Sequence, residues 1–311
     1  MASKRAPTRK RKSQRRRKPA VTLKAKATLA KFSRWKWRIS RASIADVGMH
    51  GILLRATAVK SWEFASFTHR TPAPANGFYL TATLRGICED LIVLSFLDTL
   101  SVGDRNAAIG LLSQKDLVEA VGAQTAFFKD ERPWQPVLGA NSGPIDTGEA
   151  KLRLLSRSFG WTGRQAWPSV WYMAKATSLT PLYSYLYAAT SRWVHFSPQI
   201  LMRMGWGGSP DKPSDQTQWR FTTKNFAGYY SEFNRVYSAY LFLRLLRGPL
   251  RDLQDAKMAT LLDTLEGDLS EVIRWPELVT YEEMNLKGPS QVQRLLLWAG
   301  YEANSDRDAA V

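Results

Sequence analysis

From Ser43 onward, apolar side chains recur three and four positions apart and almost never alternate, so the chain is constrained to helices. Ile44, Val47, Ile52, Leu53, Val59, Trp62 and Phe67 predict a helix over residues 43–68. Thr71-Pro-Ala-Pro74 breaks it. Residues 75–99 then form the most apolar run, long enough for a buried central helix rather than a strand. Ser101–Arg132 reads as a third amphipathic helix, interrupted near Gly122. A loop-rich insert follows over Pro133–Gly148, then two shorter helices within 149–177, and a second loop from Met204 to Asp215. The aromatic stripe of residues 223–247 reads as a core helix rather than a base-stacking surface. Leu250–Arg274 and a short Pro289–Tyr301 complete the series, with Thr280–Glu283 as a capping box. The expected fold class is all-α: a multi-helix bundle over residues 42–303, preceded by a basic tail over residues 1–41.

That tail holds the whole of the net charge. Residues 1–41 carry 17 Lys and Arg and no acid, the first carboxylate being Asp46. The rest has 44 − 17 = 27 basic residues against 27 acidic ones, which is neutral. The runs Arg9-Lys10-Arg11-Lys12 and Arg15-Arg16-Arg17-Lys18 cannot bury apolar surface and are expected to stay disordered until they meet a polyanion. Nucleic acid is the expected partner, through salt-sensitive phosphate contacts. A ribosome, an acidic membrane, a nuclear address or an organelle transit peptide would give the same charge pattern. Residues 21–38, ending in Trp35-Lys-Trp37-Arg38, allow two readings. One is a basic amphipathic helix on a phosphate backbone or bilayer surface; the other is a short helix docking its aromatics on the core.

With 311 residues and 44% hydrophobic content, the chain can bury a large core. A single cysteine, Cys88, excludes intramolecular disulfides, and with three histidines no zinc-type cluster is expected. No apolar run reaches the roughly 18–20 residues of a membrane span, and no signal-peptide core follows the basic start. A soluble, cytoplasmic protein without a cofactor is expected.

One stretch gathers the candidate chemistry. Leu179-Thr-Pro181 is a helix-start signal and Pro198 a stop, so a helix of about four turns should end at His195. Tyr187, Ser191 and His195 then share one face, with Arg192 beside the histidine. Leu182, Leu186 and Trp193 on its other sides suggest burial almost all round. Two readings stand: a structural histidine, or a proton-transfer site in which an arginine stabilises charge on a phosphate. In the apolar 75–99 run, Arg85 and Glu89 stand four apart, either as an ion pair fixing helix register or as part of a polar site shared with His195. His50 and His69 have no acidic partner at useful spacing and read as structural or exposed.

The usual nucleotide-binding, metalloprotease and hydrolase motifs are missing. The combination Leu84-Arg-Gly-Ile-Cys-Glu89, Leu182-Tyr-x-x-Leu, Ser191-Arg-Trp-Val-His195-Phe-Ser-Pro198 and Pro276-Glu-Leu-Val-Thr-Tyr-Glu-Glu-Met-Asn285 nevertheless resembles an uncharacterised, mainly bacterial helical family that looks HEPN-like. The resemblance spans about residues 45–290. It implies a helical bundle, often dimeric, from toxin–antitoxin or anti-phage systems, and a metal-independent ribonuclease site. By that resemblance His195 is the catalytic histidine and Arg192 or Arg85 the phosphate-stabilising arginine. Glu89 orients one of them, with Tyr187, Ser191, Glu282 and Asn285 in support. RNA is then the nucleic acid expected in preference to DNA, and a homodimer and a partner protein of a defence or toxin–antitoxin system are implied. The chain departs from the HEPN Arg–x(4–6)–His pattern, since positions 188–190 hold Ala188, Ala189 and Thr190. Either Arg85 supplies the charge from another helix, or the site is not of that kind.

Overall fold

The computed structural model describes residues 20–139, 143–205 and 221–278, and every regular element among them is helical. In chain order these are α1 (Ala20–Lys31), α2 (Ser33–Ile39), α3 (Ile44–Arg70), α4 (Thr81–Leu97), α5 (Val102–Glu131), α6 (Gly143–Ser158) and α7 (Val170–Ala176). Next come α8 (Thr180–Leu182), a π-helical turn (Tyr183–Tyr187) and α9 (Ala188–Val194), which form one unbroken rod. The last are α10 (Pro198–Arg203), α11 (Ala227–Arg247) and α12 (Ala256–Ser270). The fold is an all-α multi-helix bundle. The expected Pro289–Tyr301 helix and Thr280–Glu283 capping box lie outside the described residues.

The aromatic stripe of 223–247 becomes the central helix. α11 buries Tyr230, Phe233, Val236, Tyr237, Leu241, Phe242, Leu245 and Leu246, and packs against α3 and α4. α4 is the next most enclosed, burying Leu84, Ile87, Cys88, Leu91, Ile92, Leu94, Phe96 and Leu97. One side of α4 meets α11 and α3, while the other carries α7, the π turn and α9. Side-chain oxygens start several helices where the sequence places a short polar residue. Ser43, Ser101, Ser169 and Asp255 each accept a hydrogen bond from the amide three residues on.

Three expectations shift. α5 runs through Gly122 without a break, because one interior glycine weakens a helix by about 1 kcal/mol without ending it. The insert over 133–148 is shorter than expected, since α6 starts at Gly143. A kink arises instead at Gly48 in α3, whose φ of 68° only a glycine adopts easily.

The largest correction concerns residues 20–41. Leu29, Phe32, Trp35 and Ile39 are buried core members, so the packed body begins well before residue 42. Phe32 meets Phe242 of α11 edge-on at 5.2 Å, and Trp35 meets the same ring at 6.1 Å. The Trp35 indole donates to Leu253 O at 2.8 Å, and the Trp62 indole of α3 donates to Leu29 O at 3.0 Å. Thr28 donates to the buried Asp268 carboxylate at 2.6 Å. The apolar side of this segment is therefore docked on the core, and its cations are the solvated side of a packed helix pair. Four such buried side chains contribute about 6–12 kcal/mol, which rivals the whole net stability of a typical domain.

A chain lacking residues 1–41 is therefore expected to lose cooperative melting, followed by circular dichroism. Cooperative melting of the shorter chain at the full-length temperature would contradict the core role of α1 and α2.

Candidate functional site

The rod from α8 through the π turn to α9 ends as the sequence indicates, with His195 as the residue that closes α9. Its backbone turns extended there (ψ 162°), three residues before Pro198, and its amide bonds to Ser191 O at 3.0 Å. The π turn was not legible from spacing. The Ala188 amide reaches Tyr183 O, five residues back, so the rod is locally widened. Three tyrosines and a leucine use that width. Tyr183 stacks on Tyr187 at 4.8 Å, Leu186 is buried, and the Tyr185 hydroxyl meets that of Tyr237 in α11 at 3.0 Å. Both hydroxyls also lie within hydrogen-bond reach of Pro276 O, at 3.2 and 2.9 Å, so one donates to it while the other is shared between it and the neighbouring phenol. Burial raises the pKa of each phenol.

Arg85 joins this rod to the core. Its Nε donates to Ser191 Oγ at 3.0 Å, and one terminal nitrogen donates to Tyr187 Oη at 2.8 Å. The guanidinium also lies over the Tyr187 ring, 4.9 Å from its centre. Glu89, one turn along α4, stands 3.6 Å from the other terminal nitrogen. Ser191 Oγ donates to Tyr187 O at 2.8 Å, which leaves its lone pairs to Arg85. Burial raises the Tyr187 phenol pKa, Glu89 adds to the shift, and the Arg85 charge opposes it. Tyr187 is therefore a neutral acceptor for Arg85. Four sequence candidates, Arg85, Glu89, Tyr187 and Ser191, are thus brought together.

His195 and Arg192 lie outside that cluster. The rod is not buried all round: Leu186, Ala189 and Thr190 face the core, while Arg192, Val194, His195 and Phe196 are exposed. Arg192 donates to Gln199 at 3.1 Å rather than joining Arg85. His195 is one turn beyond Ser191 on the face to which Arg85 is bonded, with its ring in solvent. Beside it Phe196 is 84% exposed, an aromatic neighbour that periodicity gave no reason to single out. Glu282, Asn285 and the basic residues Arg9, Lys10, Arg11, Lys12, Arg15, Arg16, Arg17 and Lys18 lie outside the described residues.

The other two histidines acquire partners that sequence spacing hides. His50 of α3 stands with Asp98, which closes α4, and Arg105 of α5. Arg105 donates to Asp98 at 3.1 Å and approaches His50 Nδ1 at 3.5 Å. An arginine only donates, so Nδ1 is the acceptor in this contact, while Nε2, 3.7 Å from Asp98, is buried without a hydrogen-bond partner among the described residues. Burial, with Arg105 adding, lowers the His50 pKa, while burial raises that of Asp98. The partners come from three helices, so no local motif announces them. His69 is buried, its Nδ1 2.8 Å from Ala65 O. Cys88 is also buried, its thiol pushed up to about 12, which removes it as a nucleophile. Among the described residues no group of three His, Cys, Asp or Glu gathers where a metal ion would sit.

Comparison of the chain with known protein families, characterised proteins and solved structures finds no match.

His69 carries a pH prediction. Burial holds its pKa at about 4, below the ordinary 6.5, so the unfolded chain binds the proton more tightly. Its contribution is complete above about pH 6.5 and is lost as pH falls towards 4. The difference is on the order of 3 kcal/mol. Melting temperature measured from pH 7 to 4 should fall more steeply for the wild type than for His69→Asn, whose amide still donates to Ala65 O. Parallel profiles would contradict the assignment.

Proposed function

We propose that this chain is a metal-independent, HEPN-like endoribonuclease, a cytoplasmic toxin or anti-phage effector whose basic N-terminal run anchors it on RNA. The observation that supports this reading is the delivery of Arg85 from α4 to the helix that ends in His195, through Ser191 and Tyr187. It supplies the positive charge that the missing arginine at 188–190 does not. His195 takes the proton of an RNA 2′-hydroxyl as that oxygen attacks the adjacent phosphorus. The 2′-O–P bond forms, the P–O5′ bond breaks, and the departing 5′-oxygen takes up a proton. The products are a 2′,3′-cyclic phosphate and a 5′-hydroxyl. Arg85, oriented by Glu89, and Arg192 offset the charge on the phosphorane, while Phe196 offers a face to a neighbouring base. The need for a 2′-hydroxyl selects RNA over DNA. Because His195 is exposed, a second copy facing this surface completes the enclosure, as in HEPN dimers.

One observation favours a second reading, a non-catalytic nucleic-acid-binding or scaffold protein. Tyr187, Ser191 and Glu89 already engage three arms of Arg85 within the chain, which suits a structural tether.

The readings separate on His195→Ala, a substitution at an exposed position that leaves the fold intact. Purified wild type and variant are incubated with total RNA in EDTA. The expected result is cleavage by the wild type alone, with 2′,3′-cyclic phosphate ends and a loss of at least about 100-fold in the variant. Equal cleavage by both in a verified nuclease-free preparation overturns the role of His195, and cleavage by neither, with both folded and bound to RNA, favours the non-catalytic reading.

A further inference from the structure

We infer that the cleft between α2 and the start of α12 is a binding groove for single-stranded RNA, separate from the His195 surface. The cleft has a volume of about 810 Å³ and is lined by Lys31, Arg34, Trp35, Trp37, Arg38 and Lys257, among others. Its charge is one-sided. Lys31, Arg34, Arg38 and Lys257 face it against a single lining carboxylate, Asp255. Asp255 is already committed, pairing with Arg38 and capping α12 through the Met258 amide at 3.0 Å. Among the described residues no carboxylate pairs with Lys31, Arg34 or Lys257, so three exposed cations remain for an outside anion.

The helical repeat explains how the sequence builds this wall. Phe32 keeps helical geometry between α1 and α2, so Lys31, Arg34 and Arg38 (three and four apart) form one solvated stripe. Leu29, Phe32, Trp35 and Ile39 occupy the opposite, buried side. The two tryptophans of Trp35-Lys-Trp37 therefore have different fates. Trp35 is the fixed floor, its indole bonded to Leu253 O. Trp37 stands 60% exposed at the rim, with the Arg41 guanidinium over its ring at 5.1 Å.

An exposed indole costs free energy in water, and the Arg41 guanidinium covers only part of this ring. Set among unpaired cations, it matches the two requirements of a single-stranded nucleic acid: charge for the phosphates and a ring for a base. A lipid surface fits less well, since the feature is concave and Trp37 is its one strongly exposed ring. A duplex hides its base faces, so single strands are preferred. RNA is chosen over DNA on the strength of the ribonuclease reading, and only that choice depends on it.

The test uses the full chain carrying His195→Ala, so that RNA survives whatever the outcome of the cleavage experiment. Fluorescence anisotropy measures binding of a labelled 12-nucleotide single-stranded RNA, its duplex, inorganic polyphosphate and vesicles with acidic lipids. Trp37→Ala is expected to weaken single-strand binding roughly 5- to 150-fold, the worth of one stacked base. Trp37→Phe should restore most of it, and polyphosphate binding should not change. Replacing Lys31, Arg34 and Lys257 together by alanine should lower the slope of log K against log salt by about 2. Melting temperatures confirm that the exposed substitutions leave the fold intact. Single-strand affinity unchanged in both variants overturns the groove and assigns all binding to the basic run. Duplex bound as tightly as single strand, or losses confined to vesicles, overturns it as well.

Discussion

One guanidinium fixes how the rod of α8, the π turn and α9 sits on α4. α4 is packed on the central helix α11 along one side, and Arg85 emerges on the other to hold the rod that carries Tyr187, Ser191 and His195. A half-buried charge at a helix interface is tolerated only when its donors are met. Here a phenol oxygen and a serine oxygen on the rod accept from it, and the Glu89 carboxylate on α4 balances its charge from 3.6 Å. The consequence is directional. Both acceptors lie on one face of the rod, one in the π turn and one in α9, so their bonds set the rotation of the rod and hence where its last residue points.

The π turn is the counterpart of that constraint. The rod has to satisfy Arg85 on one side and Tyr237 with Pro276 on the other, while still burying Leu186. A regular helix places residues about 100° apart, and one extra residue in the turn shifts that register. Tyr185 and Tyr187, two residues apart and so on opposite sides of the rod, engage different partners. Periodicity cannot announce such a turn, because both tyrosines look like ordinary members of an apolar helix.

The legibility of the chain divides along the same line. Helices held by their own apolar stripes, α3, α4 and α11, were readable in sequence, as was the stop at His195 set by Pro198. The identity of the Arg85 cluster was half readable: four-residue spacing joined Arg85 to Glu89 and Tyr187 to Ser191. What joined the two pairs is a contact between helices about a hundred residues apart, which no local pattern encodes. The same reason hid Asp98 and Arg105 from His50. Charge left the first helices between two readings, since their cations dominate the composition while Leu29, Phe32, Trp35 and Ile39 do the packing. Charge density describes the solvated side of a helix and is silent on the other.

The claim that Arg85 sets the position of the His195 helix is tested most directly by a double-mutant cycle. Unfolding free energies are measured by urea titration for wild type, Arg85→Met, Ser191→Ala and the double variant, and again with Tyr187→Phe in place of Ser191→Ala. A tether through these hydroxyls predicts a coupling of about 1–3 kcal/mol in each cycle, the range for hydrogen bonds to a charged group. Additivity within about 0.5 kcal/mol in both cycles would show that Arg85 and the rod are independent, and would contradict the account.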